Sequence, residues 1–286
     1  AINPNSKNYY RYCIGPDVTG LFIGSLGSFG IITNASLKVY KRAKHYHYNT
    51  YGFQNAEQME DFILEVKKND VNTLWIANYE GRILEFFLDM AGEEYGIPEY
   101  KWPQFTVSMT IGSTRKDHVQ SDAALVKSIC ERKGGNVVGI PELPQSEWED
   151  RLRKWVRLSY LHGWHWRILY HHQPITNWHK SVKVIWEVLD EFGIIGHTAG
   201  LQSGHGSYNF YPQLYYDPQD PEEEQRVREA HKELAKRLAK TGAVPFKLAP
   251  YWSDVEEMKD YLEFVKKLKQ TIDPDGILNP GVLGGI

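Results

Sequence analysis

The sequence predicts an α+β fold in which a twisted antiparallel sheet is covered by helices on one face. Three observations lead to this expectation. Segments that alternate, or that are rich in aromatic and β-branched residues, are interspersed with segments of helical periodicity. Helix end signals stand where the periodicity begins or stops, such as Asn55 before residue 56 and Gly134 after residue 133. No fixed-period repeat or low-complexity linker interrupts this order.

The predicted strands are short and differ in pattern. Residues 37–40 and 105–111 alternate between apolar and polar side chains, whereas residues 45–53 are rich in aromatic residues. In chain order, the predicted strands are residues 8–14, 37–40, 45–53, 73–77, 105–111, 136–140, 166–170, 194–198 and 208–216.

The predicted helices have an apolar face, a start signal or both. The apolar residues of the segment 56–68 recur on one helical face. Capping boxes at Ser146 and Ser253 and a proline at Pro221 mark three further helix starts. In chain order, the predicted helices are residues 56–68, 82–90, 118–133, 146–158, 177–192, 221–242 and 254–270.

Composition excludes several classes of protein. The formal net charge of −3 argues against a protein built mainly to bind nucleic acid, which is usually basic. No apolar run approaches the roughly 20 residues of a membrane-spanning helix. Two cysteines, Cys13 and Cys130, cannot form a disulfide framework and fit a reducing compartment, so we expect a cytoplasmic protein. The aromatic content, with 18 Tyr and 9 Trp, suits a core, an interface or a pocket for a flat ligand.

The most informative segment is residues 17–33, DVTGLFIGSLGSFGIIT. Gly24, Gly27 and Gly30 recur at intervals of three, and such a backbone can turn sharply and bring its N–H groups close to an anion. The spacing is neither that of a Walker loop nor that of a G-x-G-x-x-G motif. From the residues alone, a diphosphate site and a plain glycine-rich connection both remain open.

Residues 17–33 resemble the second flavin-binding motif of the FAD-linked oxidases of the p-cresol methylhydroxylase and vanillyl-alcohol oxidase superfamily, whose usual pattern is DLTGLFIGSEGTLGIIT. Leu26 here replaces the acidic or amide residue, and Ser28 replaces threonine. Residues 272–283, IDPDGILNPGVL, are similar to the C-terminal signature of the same superfamily. Since the two matches lie in the right order at opposite ends, the chain is identified as a relative of glycolate oxidase, D-lactate dehydrogenase and alkyl-dihydroxyacetone-phosphate synthase.

The resemblance implies FAD as the cofactor and a division of the chain into three parts. Residues 1–44 are expected to belong to the second FAD-binding subdomain, residues 45–248 to a cap domain for the substrate, and residues 249–286 to a segment that returns to the FAD-binding domain. The residues that the resemblance assigns to the cofactor are Asp17, Thr19, Gly20, Gly24, Ser25, Gly27, Ser28, Gly30, Ile32 and Asn279.

The resemblance also implies a partner. In the superfamily, a first FAD-binding subdomain with its own pyrophosphate loop precedes the segment with which this chain begins, and we find no such loop here. We therefore expect a second polypeptide, either a separate subunit or the front piece of a cleaved precursor, to carry that subdomain. The chain alone is then expected to expose an apolar face.

The same comparison argues against a metal site. In the 2-hydroxy-acid members, two histidines of a G-H-x-G-D-G-N-L-H motif and a glutamate of an E-H-G loop hold a divalent ion. The matching residues 204–212 place His205 at the first histidine but Tyr211 at the second, and Lys247 falls near the glutamate. Because a cation in place of a carboxylate repels a metal ion, we expect no metal.

Three positions of this comparison, Tyr208, Lys247 and His205, are implied instead as catalytic residues. Tyr208 matches the catalytic tyrosine of the synthase branch, and Lys247 lies where the vanillyl-alcohol oxidase branch has an arginine beside the flavin. A cation there would stabilise negative charge on the flavin or the substrate. Strand alternation puts Tyr208 and Tyr211 on opposite faces, and we prefer Tyr208 for the pocket. The other interpretation of these aromatic side chains is packing within the sheet.

The histidine-rich segment around residue 166 contributes a further candidate. His162, His165, His171 and His172 have no carboxylate or cysteine at ligand spacing, which favours a pocket lining or surface over a metal site. His172, or its neighbour His171, is a candidate proton acceptor because imidazole titrates near neutral pH. His197 is open to the same interpretations.

These expectations combine into one functional hypothesis with two alternatives. The chain is expected to be a subunit or fragment of an FAD-dependent oxidoreductase that oxidises a small hydroxylated substrate by hydride transfer. That substrate is an aromatic alcohol or alkylphenol, or a 2-hydroxy acid, and the electron acceptor is not assigned. The alternatives are a non-catalytic structural or regulatory subunit and a synthase-like transferase that uses flavin without net oxidation.

Overall fold

The computed structural model describes residues 16–80, 103–138, 163–202 and 207–283. The chain divides into two compact units. The central unit is Ala43–Val244, and the terminal unit combines Ala1–Arg42 with Pro245–Ile286. The sequence places these boundaries after residues 44 and 248, and the roles assigned to the parts stay predictions.

The central unit contains two sheets within the described residues. Its strands are β1 (His45–Phe53), β2 (Thr73–Glu80), β3 (Phe105–Ser113), β4 (Asn136–Val137), β5 (His165–Ile168), β6 (His171–Pro174), β7 (Gly196–His197), β8 (Ala199–Gln202), β9 (Ser207–Phe210) and β10 (Gln213–Tyr216), with β11 (Val244–Pro245) at the unit boundary. The larger sheet has the order β11-β6-β9-β8-β2-β3-β1-β4, and the smaller one has the order β5-β10-β7. The pairings of β1 with β3, β2 with β3 and β8 with β9 are antiparallel, as expected.

Six α-helices are described in the two units. They are α1 (Val18–Phe22), α2 (Ala56–Lys68), α3 (Lys116–Arg132), α4 (Trp178–Phe192), α5 (Pro221–Ala239) and α6 (Lys259–Ile272), with short 3₁₀ turns at Ile175–Asn177, Pro250–Trp252 and Glu256–Met258. The predicted cap of α2 is confirmed, because the Asn55 Oδ1 accepts a hydrogen bond from the Gln58 N–H at 2.9 Å. None of the described helices is long and apolar enough to cross a membrane.

Helices cover one face of the larger sheet, which confirms the α+β prediction. On β1, the rings of Tyr51 and Phe53 lie 5.2 and 5.0 Å from Phe62 of α2. Further along the sheet, Trp178 of α4 contacts Phe105 and Phe210 with ring centroids 5.5 Å apart in both pairs. We call this surface the helix face; since side chains alternate along a strand, the intervening residues lie on the opposite face.

The opposite face is polar along β1 and β3. Thr50 and Ser108 are buried there, and their hydroxyl oxygens lie 2.9 Å apart in a hydrogen bond. Thr106 and Thr110 share that face and are buried as well. The larger sheet therefore presents aromatic side chains to its helices and hydroxyl groups to its other side.

Two predicted strands of the central unit are wrong in extent. The segment 208–216 is split into β9 and β10, which belong to different sheets. Pro212 interrupts the segment because proline has no N–H for a strand ladder. The strand predicted at 166–170 is observed as β5, which begins one residue earlier and already ends at Ile168. The smaller sheet was not expected from the sequence.

The terminal unit corrects two further expectations. Residues 37–40 form no described strand, and Leu37 and Val39 are 80% and 86% exposed, because no neighbouring strand pairs with them. Ser253 does not cap α6; its hydroxyl donates to the Pro250 carbonyl, and α6 begins later, after the turn at Glu256–Met258. The predicted strand 8–14 and the predicted helices 82–90 and 146–158 lie outside the described residues.

Candidate functional site

The glycine-rich turn (residues 24–30) follows a short capped helix. The Asp17 Oδ1 accepts the Gly20 N–H at 3.2 Å and caps α1. The Ser28 N–H then donates to the Ser25 carbonyl at 2.9 Å. This bond closes a turn whose central residues, Leu26 and Gly27, have φ angles of 52° and 79°. Positive φ at both central positions identifies a type I′ turn.

Leu26 is the unusual member of this turn. A non-glycine residue in the left-handed region costs about 1–2 kcal/mol, and such conformations cluster at ligand sites. Gly24 and Gly30 also have positive φ, at 82° and 150°, where glycine is the natural residue. The turn therefore concentrates four left-handed or glycine-only conformations within seven residues.

The C-terminal segment holds this turn from one side. The ammonium of Lys269, only 6% exposed, donates to the Ser28 carbonyl at 3.0 Å, to the Leu278 carbonyl and to the Asp273 carboxylate. The Asn279 side-chain amide donates to the Leu26 carbonyl. Lys269, Asp273 and Asn279 are named here the tail clamp.

Sequence reasoning found Asn279 but missed Lys269 and Asp273 as a pair. The available signal was their i, i+4 spacing at the end of a helix, which brings the two charges together. The Lys269 ammonium, by its hydrogen bond, holds the pKa of the Asp273 carboxyl below its usual value. The backbone N–H groups of Ile277 and Leu278 donate to the same carboxylate and act in the same direction.

The remaining residues assigned to the cofactor differ in accessibility. Ser25 is buried and donates its hydroxyl to the Phe22 carbonyl at 3.1 Å. Ser28 is 1% exposed, and its Oγ has no hydrogen-bond partner among the described residues. Thr19 and Ile32 are exposed. Asp17 already caps α1, as described above.

Lys247 lies in the terminal unit, on the connection between α5 and α6. Its side chain is exposed, and its carbonyl accepts the Ala249 N–H at 2.9 Å. The start of this connection is fixed within the central unit, where the Thr241 carbonyl accepts the Asn177 side-chain amide at 3.0 Å. Exposure suits both a ligand contact and a solvated lysine, so the predicted role stays a prediction.

The structure buries Tyr208, the tyrosine that the sequence favours for the pocket. Tyr208 is 1% exposed and lies on the helix face, with its ring 6.0 Å from that of Phe210. Alternation is as expected, but the helices occupy the side on which Tyr208 projects. Tyr211, which follows β9, is 9% exposed, and its ring lies 5.8 Å from that of Tyr170. The catalytic role of Tyr208 stays a prediction, beside the alternative of packing within the sheet.

His172 and Asn209 lie on the opposite face of the same two strands. They are partners in the β6–β9 register, and His172 is partly exposed. Partial burial lowers the pKa of His172 below its usual value, which favours the neutral, proton-accepting form. The Asn209 Oδ1 is buried without a hydrogen-bond partner among the described residues. Together they offer a proton acceptor and a hydrogen-bond acceptor to a hydroxylated molecule.

The structure separates His172 from the other histidines of its group. His171 is fully buried on the helix face, where it stacks on Phe210, and burial lowers its pKa to about 4. His197 is 3% exposed and stacks on Tyr215, and burial lowers its pKa to about 3. Both are neutral near pH 7 and pack in the interior.

Comparison with known proteins gives matches in sequence, described first, and matches in fold. The family model "FAD linked oxidases, C-terminal domain" matches residues 249–283, which include the tail clamp. A protein described as probable D-lactate dehydrogenase, mitochondrial, from Danio rerio is 23% identical, over 93% of this chain and 54% of that protein. The chain thus spans about half the length of this curated relative.

Solved structures with a similar fold extend over nearly the whole chain. A p-cresol methylhydroxylase with substrate bound has a TM-score of 0.77 at 15% identity, covering 98% of this chain and 60% of that one. A 4-ethylphenol oxidase from Gulosibacter chungangensis, in an isoeugenol complex, has a TM-score of 0.72 at 15% identity, covering 96% and 60%. An alkyldihydroxyacetonephosphate synthase has a TM-score of 0.64 at 17% identity, covering 94% and 50%.

Residues 249–283 are thus similar to the C-terminal domain of FAD-linked oxidases, and the fold of nearly the whole chain is similar to that of the solved structures named above. This similarity implies FAD as the cofactor, and the residues of the glycine-rich turn fit its diphosphate. Left-handed backbone at Gly24, Leu26 and Gly27 is typical of anion-binding nests, and the unpartnered Ser28 hydroxyl supplies a donor. An added Cβ at Gly24 would meet no atom within 4 Å, so one side of the turn is open.

Within the described parts of the chain, no three His, Cys, Asp or Glu side chains come together as a metal site requires. His205 and His162 lie outside the described residues. The expectation of a metal-free site therefore stays a prediction.

Proposed function

We propose that this chain is the cap-bearing part of an FAD-dependent oxidoreductase that oxidises a small hydroxylated substrate. The observation that carries the proposal is the type I′ turn, whose left-handed conformation is tied to the segment that matches the family model. An anion such as a diphosphate, bound to the backbone N–H groups of this turn, would account for its left-handed conformation.

We propose roles for the residues of each unit by itself. FAD, when bound, accepts a pair of electrons from the substrate carbon. The glycine-rich turn binds the diphosphate with its backbone N–H groups. In the central unit, His172 accepts the proton of the substrate hydroxyl, and Asn209 accepts a hydrogen bond from the same substrate. Lys247 stabilises negative charge as it develops.

The substrate is proposed as an aromatic alcohol or alkylphenol, or a 2-hydroxy acid. The names of the similar proteins refer to 4-ethylphenol, p-cresol and D-lactate, which span these two classes. Both classes present a hydroxyl group that an uncharged imidazole can deprotonate. Hydride transfer from either class of substrate would leave negative charge on the reduced flavin, and a cation such as Lys247 would stabilise that charge.

A partner is part of the proposal. Ile31 and Ile32 are 84% and 62% exposed, and together with Leu37 and Val39 they form an apolar stretch without a described neighbour. Such exposure is a liability unless another surface covers it. We propose that a polypeptide carrying the first FAD-binding subdomain covers this stretch, whether as a separate subunit or as part of the same precursor.

The test is purification from the native source, followed by absorption spectroscopy. We expect the chain to co-purify with a second polypeptide and to show the visible spectrum of oxidised flavin. Anaerobic addition of p-cresol or D-lactate should bleach that spectrum in one case and not in the other, which identifies the substrate class. A complex that holds flavin but is bleached by no hydroxylated compound would instead favour the synthase-like alternative. A complex without flavin would favour a structural subunit.

A further inference from the structure

The tail clamp contacts the turn in which Gly24, Leu26, Gly27 and Gly30 have positive φ angles. We infer that Lys269, Asp273 and Asn279 are positioning residues that hold the glycine-rich turn in its left-handed, ligand-ready conformation. The inference rests on the proposed function for the identity of the ligand, the FAD diphosphate. It assigns to the C-terminal segment the task of shaping the turn, beside the direct contact with the cofactor that the resemblance predicts for Asn279.

The hydrogen bonds of Lys269 are complete without any ligand. An ammonium has three N–H donors, and here all three have acceptors: the Ser28 carbonyl, the Leu278 carbonyl and the Asp273 carboxylate. Lys269 is therefore not available to bind a phosphate. Its burial next to a paired carboxylate makes it a fixed cross-link between the turn and the C-terminal segment.

Asp273 fixes the other end of this cross-link. Its Oδ1 accepts the Ile277 N–H at 3.0 Å, and its Oδ2 accepts the Leu278 N–H at 2.8 Å. These bonds shape the tight bend that carries Asn279 back to the turn. The clamp thus connects α6 to the turn in two ways: through the Lys269 side chain, and through the short loop that carries Asn279.

The clamp acts on both carbonyls that flank Gly27. Lys269 holds the carbonyl of Ser28, and Asn279 holds that of Leu26. A Cβ added at Gly27 would lie 3.7 Å from the Asn279 Nδ2, so the C-terminal segment covers this side of the turn. At Gly24, by contrast, no atom lies within 4 Å of an added Cβ. The carbonyls are thereby fixed on the covered side, and the open side is left for an anion.

The first experiment measures hydrogen–deuterium exchange of the full chain without flavin. Lys269→Met removes the ammonium but leaves the Asp273 carboxylate unpaired, so the double variant Lys269→Met with Asp273→Asn is the main variant. Lys267→Met, an exposed position on the same helix, is the control. We expect exchange of a peptide spanning residues 22–30 to become at least about tenfold faster in the double variant, while a peptide from β3 is unchanged. The control should match the wild type at both peptides.

A second measurement links the clamp to the cofactor. Flavin content and the rate of flavin release are measured in the purified complex of wild type, Asn279→Ala and the double variant. We expect both variants to release flavin faster than the wild type does. The variant whose turn exchanges faster should also release flavin faster. Restoring an amide with Asn279→Gln should recover part of the loss if the bond to the Leu26 carbonyl is what matters.

The outcomes separate the two proposals. Unchanged exchange in residues 22–30 would overturn the clamp, whatever the complex contains. Faster exchange with unchanged flavin release would overturn its role in cofactor positioning. A wild-type complex without flavin would contradict the proposed function, while the exchange result would still decide whether the clamp holds the turn.

Discussion

A single methyl group at Gly27 tests the importance of the left-handed turn. In Gly27→Ala, the new Cβ would lie 3.7 Å from the Asn279 Nδ2 and 3.8 Å from the Asn279 Cβ, which are ordinary contact distances. Steric overlap with the surroundings is therefore excluded, and the cost comes from the backbone, whose φ is 79°. An L-residue in this region costs about 1–2 kcal/mol relative to its preferred conformations. This corresponds to a factor of about 5 to 30 in an equilibrium constant.

Gly163 in the central unit is a matched control. Its φ is also 79°, and an added Cβ would meet no atom within 4 Å. Gly163→Ala should therefore lower the free energy of unfolding by a similar amount, about 1–2 kcal/mol, measured in urea. Only Gly27→Ala should also reduce the affinity of the complex for flavin, measured by equilibrium dialysis, because the free turn relaxes and binding restores the strain; complete relaxation sets an upper limit of about 5- to 30-fold.

Two results would refute this reasoning. If Gly27→Ala binds flavin as tightly as Gly163→Ala does, the conformation of the turn is irrelevant to the cofactor. If neither variant is less stable than the wild type, the left-handed conformations that the structure shows do not exist in solution.

Four further predictions concern charge, burial and metal. Lys247→Met should slow flavin reduction in the complex by on the order of 10²–10³, in stopped-flow absorbance, because a preorganised cation is lost. Trp186→Phe should lower the free energy of unfolding by about 1–3 kcal/mol, in urea titration, because the buried Glu80 Oε1 loses the Trp186 N–H that donates to it at 2.7 Å, while the Thr198 N–H still donates to Oε2. Stability should fall as the pH drops from 6.5 towards about 4, in urea titrations at several pH values, because the unfolded chain then binds protons that His171 and His197, with pKa values of about 4 and 3, do not bind when folded. Treatment with a chelator should leave the activity of the complex unchanged.

Each of these four has its own control. Lys240→Met, another exposed lysine, should reduce flavin at the wild-type rate; a rate for Lys247→Met within about twofold of wild type would remove Lys247 from the chemistry. A double-mutant cycle with Glu80→Gln should show coupling of about 0.5–3 kcal/mol, and additivity would contradict the bond. His197→Phe should flatten the acid slope. A divalent ion found at His205 after chelation has abolished activity would overturn the metal-free prediction.

Local signals in the sequence predicted much of the fold. The helices α2 and α4 were expected within a residue of their observed bounds, because an apolar face and clear end signals coincide there. The strand β1 was predicted at its observed limits, since its aromatic run ends sharply at Phe53. The strand predictions that failed depend on pairing with segments far along the chain. Residues 37–40 have the alternation of a strand but no neighbour to pair with, and no local pattern reveals that.

The candidate site was predictable in part for the same reason. The spacing of Gly24, Gly27 and Gly30 pointed to the turn, and the structure gives all three a positive φ. Alternation put Tyr208 and its neighbours on defined faces but could not say which face the helices cover. The buried pair of Lys269 and Asp273 was missed because a lysine in a helix is, from its type alone, a surface residue.

The two segments of the terminal unit are synthesised at different times. The carbonyl of Ser28 and the ammonium of Lys269 are separated by 241 positions, with the whole central unit between them. At about 5–20 residues per second, a ribosome needs roughly 12 to 48 seconds to travel that distance. Throughout that interval the exposed apolar residues 31–39 have emerged without the clamp that fixes the preceding turn. The central unit can fold as it emerges, whereas the turn gains its clamp only after residues 43–244 have been synthesised. Chaperones that hold nascent chains would therefore meet the exposed residues 31–39 before the clamp has formed.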